Sequence, residues 1–417
     1  MSTDDRTRAH AEPNTGGPRL FLAGSVLVDL VVRIPALPER GGDMLAESAE
    51  FTTGGGFNLL SAAGRLGLPG TYAGPHGTGT FGDRTRASLA AEGIDLLLPA
   101  RTGQDTGFSI ALVDSGERTF VTSSGAEADF TDADTEALAA QLRPGDVVQV
   151  SGYGLVRPAT GETLAALVGR LPDGVLLSFD PGPLVADIPP ARLDRILARC
   201  DWLSCNAREA GLLTAGASGR EAAQALRARL RPGAGVVVRA DADGCWVAPP
   251  AADGDRADVQ APVHLPGFEV TAVDANGAGD AHVGAFLAFL TQGADPLEAA
   301  RKANAAAAYA VTRRGPATAP DRPELNRFLA TATTRRVDGS GRPLVDCSSG
   351  AAQDWGGKRF PKLSHSCSQE EPGATQQVRC GRGRVGRGDG RRGDGGEDGG
   401  PRAGRERAGG RFVAHPS

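Results

Sequence analysis

The chain has 417 residues, 40% of them apolar, and a formal net charge of −5. That is core enough for one large α/β domain or two smaller ones, so disorder is excluded as the state of the whole chain. There is no apolar run of about 18 residues, no signal-like apolar segment near the polar N-terminus, no CxxC among the six cysteines and no histidine at ligand spacing with them. A soluble, cytoplasmic protein without a membrane partner, disulfide framework or zinc site is therefore expected.

Residues 1–18 read as a disordered N-terminus, and residues 19–330 as the folded domain. Strand-like runs begin at Leu20–Ala23 and Leu27–Ile34, and continue at Met44–Phe51 after the Pro38-Glu39-Arg40-Gly41-Gly42 turn. Asp29 interrupts an otherwise apolar strand, so its carboxylate faces either solvent or a polyol. A helix is predicted over Asn58–Leu66, behind Gly54-Gly55-Gly56. Asn58 there is either a helix cap or an amide reaching a small polar ligand. Gly77-Thr78-Gly79-Thr80-Phe81-Gly82 is a formal GxGxxG that follows a short strand and opens a helix, but it lacks the acidic residue a dinucleotide site needs about 20 positions on. Gly107–Thr122 reads as a hairpin turning at Asp114-Ser115-Gly116-Glu117.

Beyond Thr131, helices over 132–143, 158–170, 190–199 and 218–230 alternate with apolar strands at Val147–Val150, Val175–Phe179, Trp202–Cys205 and Val236–Val238. This alternation predicts right-handed crossovers and a mainly parallel sheet covered on both faces. The two early strand patches do not fit it. They read as a small accessory sheet emerging from one edge, placed to act as a lid over a site at the carboxyl ends of the strands.

Two junctions carry chemistry. Asn206-Ala207-Arg208-Glu209 follows a strand directly, where Glu209 could organise Mg²⁺ or its waters; the same spacing also makes a helix cap with a capping box. Asp274-Ala275-Asn276-Gly277-Ala278-Gly279-Asp280 leads into an apolar helical run. Its small residues let a phosphoryl group approach main-chain N–H donors at a helix start, where the dipole favours an anion. Asp280 would repel that ligand unless it has a task of its own, and accepting the proton of an attacking hydroxyl is one. From Thr331 to Ser417 there are 16 Lys and Arg against 10 Asp and Glu, and periodicity disappears. This Gly/Arg-rich tail reads as disordered, and its acidic interruptions at Asp389, Asp394, Glu397 and Asp398 speak against nucleic acid as a partner.

With Gly54 to Asn58, Asn206 to Glu209 and Asp274 to Asp280 in this order, residues 19–330 resemble the ribokinase, or phosphofructokinase-B type, family of sugar and nucleoside kinases. The segment Ala303–Gly315 looks like the ribokinase branch, where it helps wall the adenine pocket, with Asn304 as a nucleotide contact. The resemblance implies a ribokinase-like three-layer α/β/α fold with a small β-sheet lid within about 27–52 and 107–122. It implies ATP and Mg²⁺ as cofactor and ion, and a small sugar as substrate. Asp280 would be the base, with Gly277, Ala278 and Gly279 as anion hole. Asp29, Gly55 and Asn58 would hold sugar hydroxyls, Asn206 and Glu209 would position phosphate and Mg²⁺ through water, and Asp274 with the carbonyls near Gly315 would match a potassium site. The chain departs from the pattern at Ala275 and Asn276, where threonines are usual, and at Arg239-Ala240-Asp241. A homodimer through the lid sheet is expected, and a nucleoside kinase or a regulator that has lost turnover remains open beside the sugar kinase.

Overall fold

The structure is a computed structural model that describes residues 16–114, 117–250 and 260–335. Most of the expected N-terminal segment, nearly all of the expected tail and the centre of the 114–117 turn lie outside the described residues. Short apolar segments form a nine-stranded sheet: β1 (Leu20–Ala23), β4 (Gly70–Tyr72), β5 (Asp95–Leu96), β8 (Val147–Ser151), β9 (Leu176–Asp180), β10 (Trp202–Asn206), β11 (Gly235–Arg239), β12 (Cys245–Ala248) and β13 (Val263–Leu265). Their order is β13-β12-β11-β10-β9-β8-β1-β4-β5, parallel from β11 to β5 and antiparallel at β12 and β13.

These strands read as unbroken apolar runs because both faces are covered, and the pleat sends alternate residues to opposite layers. Phe21, Val148, Leu203 and Val236 pack in one core, whereas Leu20, Val147, Trp202 and Val237 pack in the other. The first core is closed by α3 (Asp132–Ala139), α5 (Pro158–Val168), α6 (Pro190–Arg199) and α8 (Gly219–Arg229). The second is closed by α1 (Gly56–Arg65), α9 (Ala278–Thr291) and α10 (Pro296–Val311). Trp202 meets Phe286 edge-on at 4.8 Å between ring centroids, and burying one such side chain is worth about 1.5–3 kcal/mol.

A separate four-stranded sheet, ordered β3-β2-β6-β7, is the lid: β2 (Val26–Arg33), β3 (Ser48–Gly55), β6 (Phe108–Asp114) and β7 (Glu117–Ser123). It leaves the carboxyl end of β1, an interior strand, and not the sheet edge that the sequence suggested. The predicted Met44–Phe51 strand is shifted to Ser48–Gly55 and runs through two of the three glycines. The reason is local: a Cβ on Gly54 would sit 2.0 Å from Asp29 Oδ2, so a strand can pass beside that carboxylate only with no side chain. Strands β12 and β13 were not predicted; they are short and lie outside the helix–strand alternation.

Helix α9 crosses α1 closely. A Cβ on Gly284 would come within 2.4 Å of the Leu59 carbonyl oxygen and 3.0 Å of Ala62 Cβ, so glycine sets the approach of the two helices. Gly284→Val is expected to cost about 1–3 kcal/mol through overpacking, read as a lower midpoint in chemical denaturation. An unchanged midpoint would contradict the contact.

Candidate active site

Neighbouring strands β9, β10 and β11 end in Asp180, Asn206 and Arg239, so their polar residues gather where the apolar runs stop. The Arg239 guanidinium donates through Nη1 to Ser204 Oγ at 2.6 Å and through Nη2 to Asp180 Oδ2 at 3.0 Å. Its Nη2 is also 3.9 Å from Glu209 Oε2. Burial alone would weaken this charge, but Asp180 and Glu209 reverse the effect and push the Arg239 pKa up. In the sequence Arg239 stands only as a departure from the family pattern; a lone arginine ending a valine strand is the one signal it gives. Asp241 is exposed, with φ 48°.

Asn206 and Glu209 form the capping box that their spacing permits, at the start of α7 (Ala207–Leu213). Glu209 N–H donates to Asn206 Oδ1 at 2.9 Å, while Asn206 N–H and Nδ2 donate to the Glu209 carboxylate at 2.8 Å each. Glu209 is buried. Burial first, then the charge of Asp180, holds its pKa above the usual carboxylate range. Capping and a place at the strand ends therefore coincide in one side chain.

Helix α9 begins beside Arg239. Gly277 caps it in the left-handed region, φ 72°, and a Cβ there would lie 3.0 Å from Asn58 Cγ. Glycine is required on both counts. The Ala278 N–H donates a long 3.3 Å bond to the Ala275 carbonyl. Gly279 lies against Arg239, since a Cβ built on it would be 3.6 Å from Nη2. Asp280 in the first turn accepts from Asn58 Nδ2 at 3.4 Å, and Asn58 Oδ1 accepts from the Ala317 N–H at 2.9 Å. A crevice beside them is lined by Asn58, Asn276, Gly277 and Ala317. Withdrawal from water, then the charge of Asp180, raises the Asp280 pKa to about 7; Asn58 and Arg239 oppose the shift and Asp29 adds to it.

Asp29 faces inward from β2, buried, with its pKa raised to about 6 by burial and held back by Arg118. Gly55 turns the chain from β3 into α1 with φ 63°, and a Cβ there would meet the Ser25 carbonyl oxygen at 2.6 Å. Tyr153, on the short helix α4 (Gly152–Val156), was missed by sequence reasoning. Its ring is half exposed, and its pKa is pushed up to about 12 by burial and by Asp280, Asp180, Glu209 and Asp29. It therefore overlooks the same carboxylates.

The remaining candidates lie around this centre. Asn304 on α10 is buried; its Oδ1 meets His282 Nε2 at 3.1 Å, and its Nδ2 donates to the Leu265 and Pro266 carbonyls at 3.1 and 3.3 Å. Asp274 accepts from the Asn276 N–H at 2.8 Å and the Gly315 N–H at 3.4 Å, and forms an ion pair with Arg118 of β7. The GxGxxG helix start, at α2 (Thr80–Ala91), is already filled. The Asp105 carboxylate accepts from Phe81 N–H at 3.1 Å and Gly82 N–H at 2.7 Å, which removes the dinucleotide alternative.

Comparisons with known proteins identify the family. Residues 18–323 match the profile of the pfkB family carbohydrate kinases. The chain is 34% identical over 314 residues to the uncharacterized sugar kinase YegV of Escherichia coli, covering 73% of this chain and 92% of that protein. It is 28% identical over 320 residues to a ribokinase of Haemophilus influenzae, covering 75% and 99%. The fold matches the crystal structure of ribokinase from Thermotoga maritima with a TM-score of 0.63 at 23% identity, over 75% of this chain and all of that one. The profile match over most of the chain and the 34% identity to a sugar kinase show that the chain belongs to the pfkB family of carbohydrate kinases.

Proposed function

We propose that this kinase uses ATP to phosphorylate a primary hydroxyl of a small sugar, with Asp280 as base and the Gly277-Ala278-Gly279 helix start as anion hole. The observation that carries the reading is the start of α9, where a carboxylate with a pKa raised to about 7 stands in the first turn beside Asn58. Asp280 takes the proton of the sugar hydroxyl as that oxygen bonds to the γ-phosphorus. The bond from the γ-phosphorus to the β,γ-bridging oxygen breaks, and ADP leaves. The positive end of α9 and the nearby Arg239 offset the charge that collects on the transferring group.

In this reading Asp29 accepts hydroxyls from beneath the lid, Gly55 lets the chain pass close to them, and Asn58 orients Asp280. Asn304 braces the wall of the adenine pocket. Mg²⁺ bound with the nucleotide would neutralise phosphate charge. Glu209 would meet it through water, because a carboxylate whose pKa is raised by burial and then by Asp180 gains from a nearby cation. Among the described residues no group of three or more His, Cys, Asp or Glu could hold a metal, so phosphate oxygens and water would complete the shell. Exposed Phe51, Phe120 and Val121 on the edge strands β3 and β7 favour a homodimer through the lid. ATP as phosphoryl donor suits a cytoplasmic enzyme.

Product formation from ATP with a panel of pentoses, hexoses and nucleosides tests the reading; binding without turnover across the panel would favour a regulator instead. Asp280→Asn is expected to lower kcat by about 10²–10⁴-fold with sugar binding largely kept, and near-normal turnover would refute the base. The base works only deprotonated, so kcat/KM should fall about tenfold per pH unit below about pH 7. An acid limb centred near the ordinary aspartate range would contradict this. The same raised pKa has a stability sign. Its contribution is fully present below the unfolded aspartate pKa and lost as pH rises through about 7. Asp280→Asn should therefore melt higher than the parent in alkaline buffer, with the gap closing on acidification.

A further inference from the structure

Asp274 is placed like a cation ligand, yet its carboxylate is already committed. Its side chain is 7% exposed and that of Arg118 is 17% exposed, so the ion pair between them is largely out of water. Oδ1 takes both the Arg118 guanidinium and the Asn276 N–H, and Oδ2 takes the Gly315 N–H. A potassium ion needs outward-facing oxygen lone pairs; here the hydrogens of three donors point at them, and a fixed positive charge stands in contact. The residues present do not fit a monovalent metal ion.

We propose that Arg118 is this enzyme's built-in monovalent cation, making turnover independent of potassium and tying the lid to the anion hole. The covalent path is short. Asp274 is pinned to the end of α10, where its N–H and that of Val273 donate to the Val311 carbonyl at 3.0 and 2.7 Å. Its Oδ1 then fixes the Asn276 N–H, and Gly277 follows directly as the cap of α9. A charge on Asp274 therefore shapes the loop that presents the helix start to phosphate. In this chain the charge arrives on β7, a lid strand, through a contact 156 residues away in sequence. Lifting the lid would take the cation from Asp274 and let water compete for its carboxylate, so the loop is held in this order only with the lid in place.

Arg118 also has a donor to spare, since Nη1 is buried without a hydrogen-bond partner. Arg118 lies near enough to Asp29 for its charge to act on that carboxylate. It is a positioning residue through Asp274, acting on the loop before Gly277.

The test compares the parent protein, Arg118→Ala and Arg118→Lys in potassium and in N-methylglucamine buffers of equal ionic strength, by turnover and by melting temperature. The parent should show the same kcat and the same melting temperature in both. Arg118→Ala should lose about tenfold to a hundredfold in kcat, recover part of it with added potassium or guanidinium, and melt higher in potassium. Arg118→Lys, which keeps the charge, should stay largely independent of potassium. Strong potassium activation of the parent, or an Arg118→Ala variant equal to the parent in N-methylglucamine, overturns the proposal. It rests on the kinase reading only for the rates. If no sugar is phosphorylated, that reading fails, while the melting comparison still decides whether Arg118 fills the cation's place.

Discussion

The structure depends on holding several carboxylates together at the carboxyl ends of one sheet. Asp29, Asp180, Glu209, Asp274 and Asp280 all lie around this centre, and without compensation such a group would take up protons instead of staying ionised. Two guanidinium groups from different sheets resolve the conflict. Arg239 rises from β11 between Asp180 and Glu209, and Arg118 reaches from the lid to Asp274. The compensation is incomplete at Asp280, whose pKa stays near 7. A carboxylate at that value is half ionised at neutral pH, which suits the role of base proposed for it.

Close approach supplies the rest of the geometry. Gly284 lets α9 settle on α1, so Asn58 reaches Asp280; Gly277 then clears Asn58, and Gly54 clears Asp29. In each case the missing side chain admits a specific polar or backbone group. The site is thus assembled from two halves of the chain by contacts that leave no room for a methyl group.

Much of this was legible because it is local. Alternating apolar strands and helices predicted the parallel sheet, since strands covered on both faces must read as apolar runs. The Asp274-to-Asp280 junction announced a helix start with small residues and one carboxylate. Asn206 and Glu209 were open between cap and ligand for a physical reason: the same three-residue spacing that closes a capping box also puts a carboxylate at a strand end. The lid strands were seen, but β3 was placed too early, because the reason for its glycines is a carboxylate on another strand.

The residues that were missed act at long range. Arg239 finds Asp180 59 residues away, and Tyr153 overlooks carboxylates from four separate segments; neither belongs to a spacing pattern. The sequence by itself determined the sheet, the helix start and the family, because periodicity and motif spacing act between neighbours in the chain. Only the tertiary structure decided that Asp105 fills the rival glycine-rich helix start and that Arg118 already stands at Asp274. Which charges meet is set by how the elements pack, and that information is spread over the whole fold.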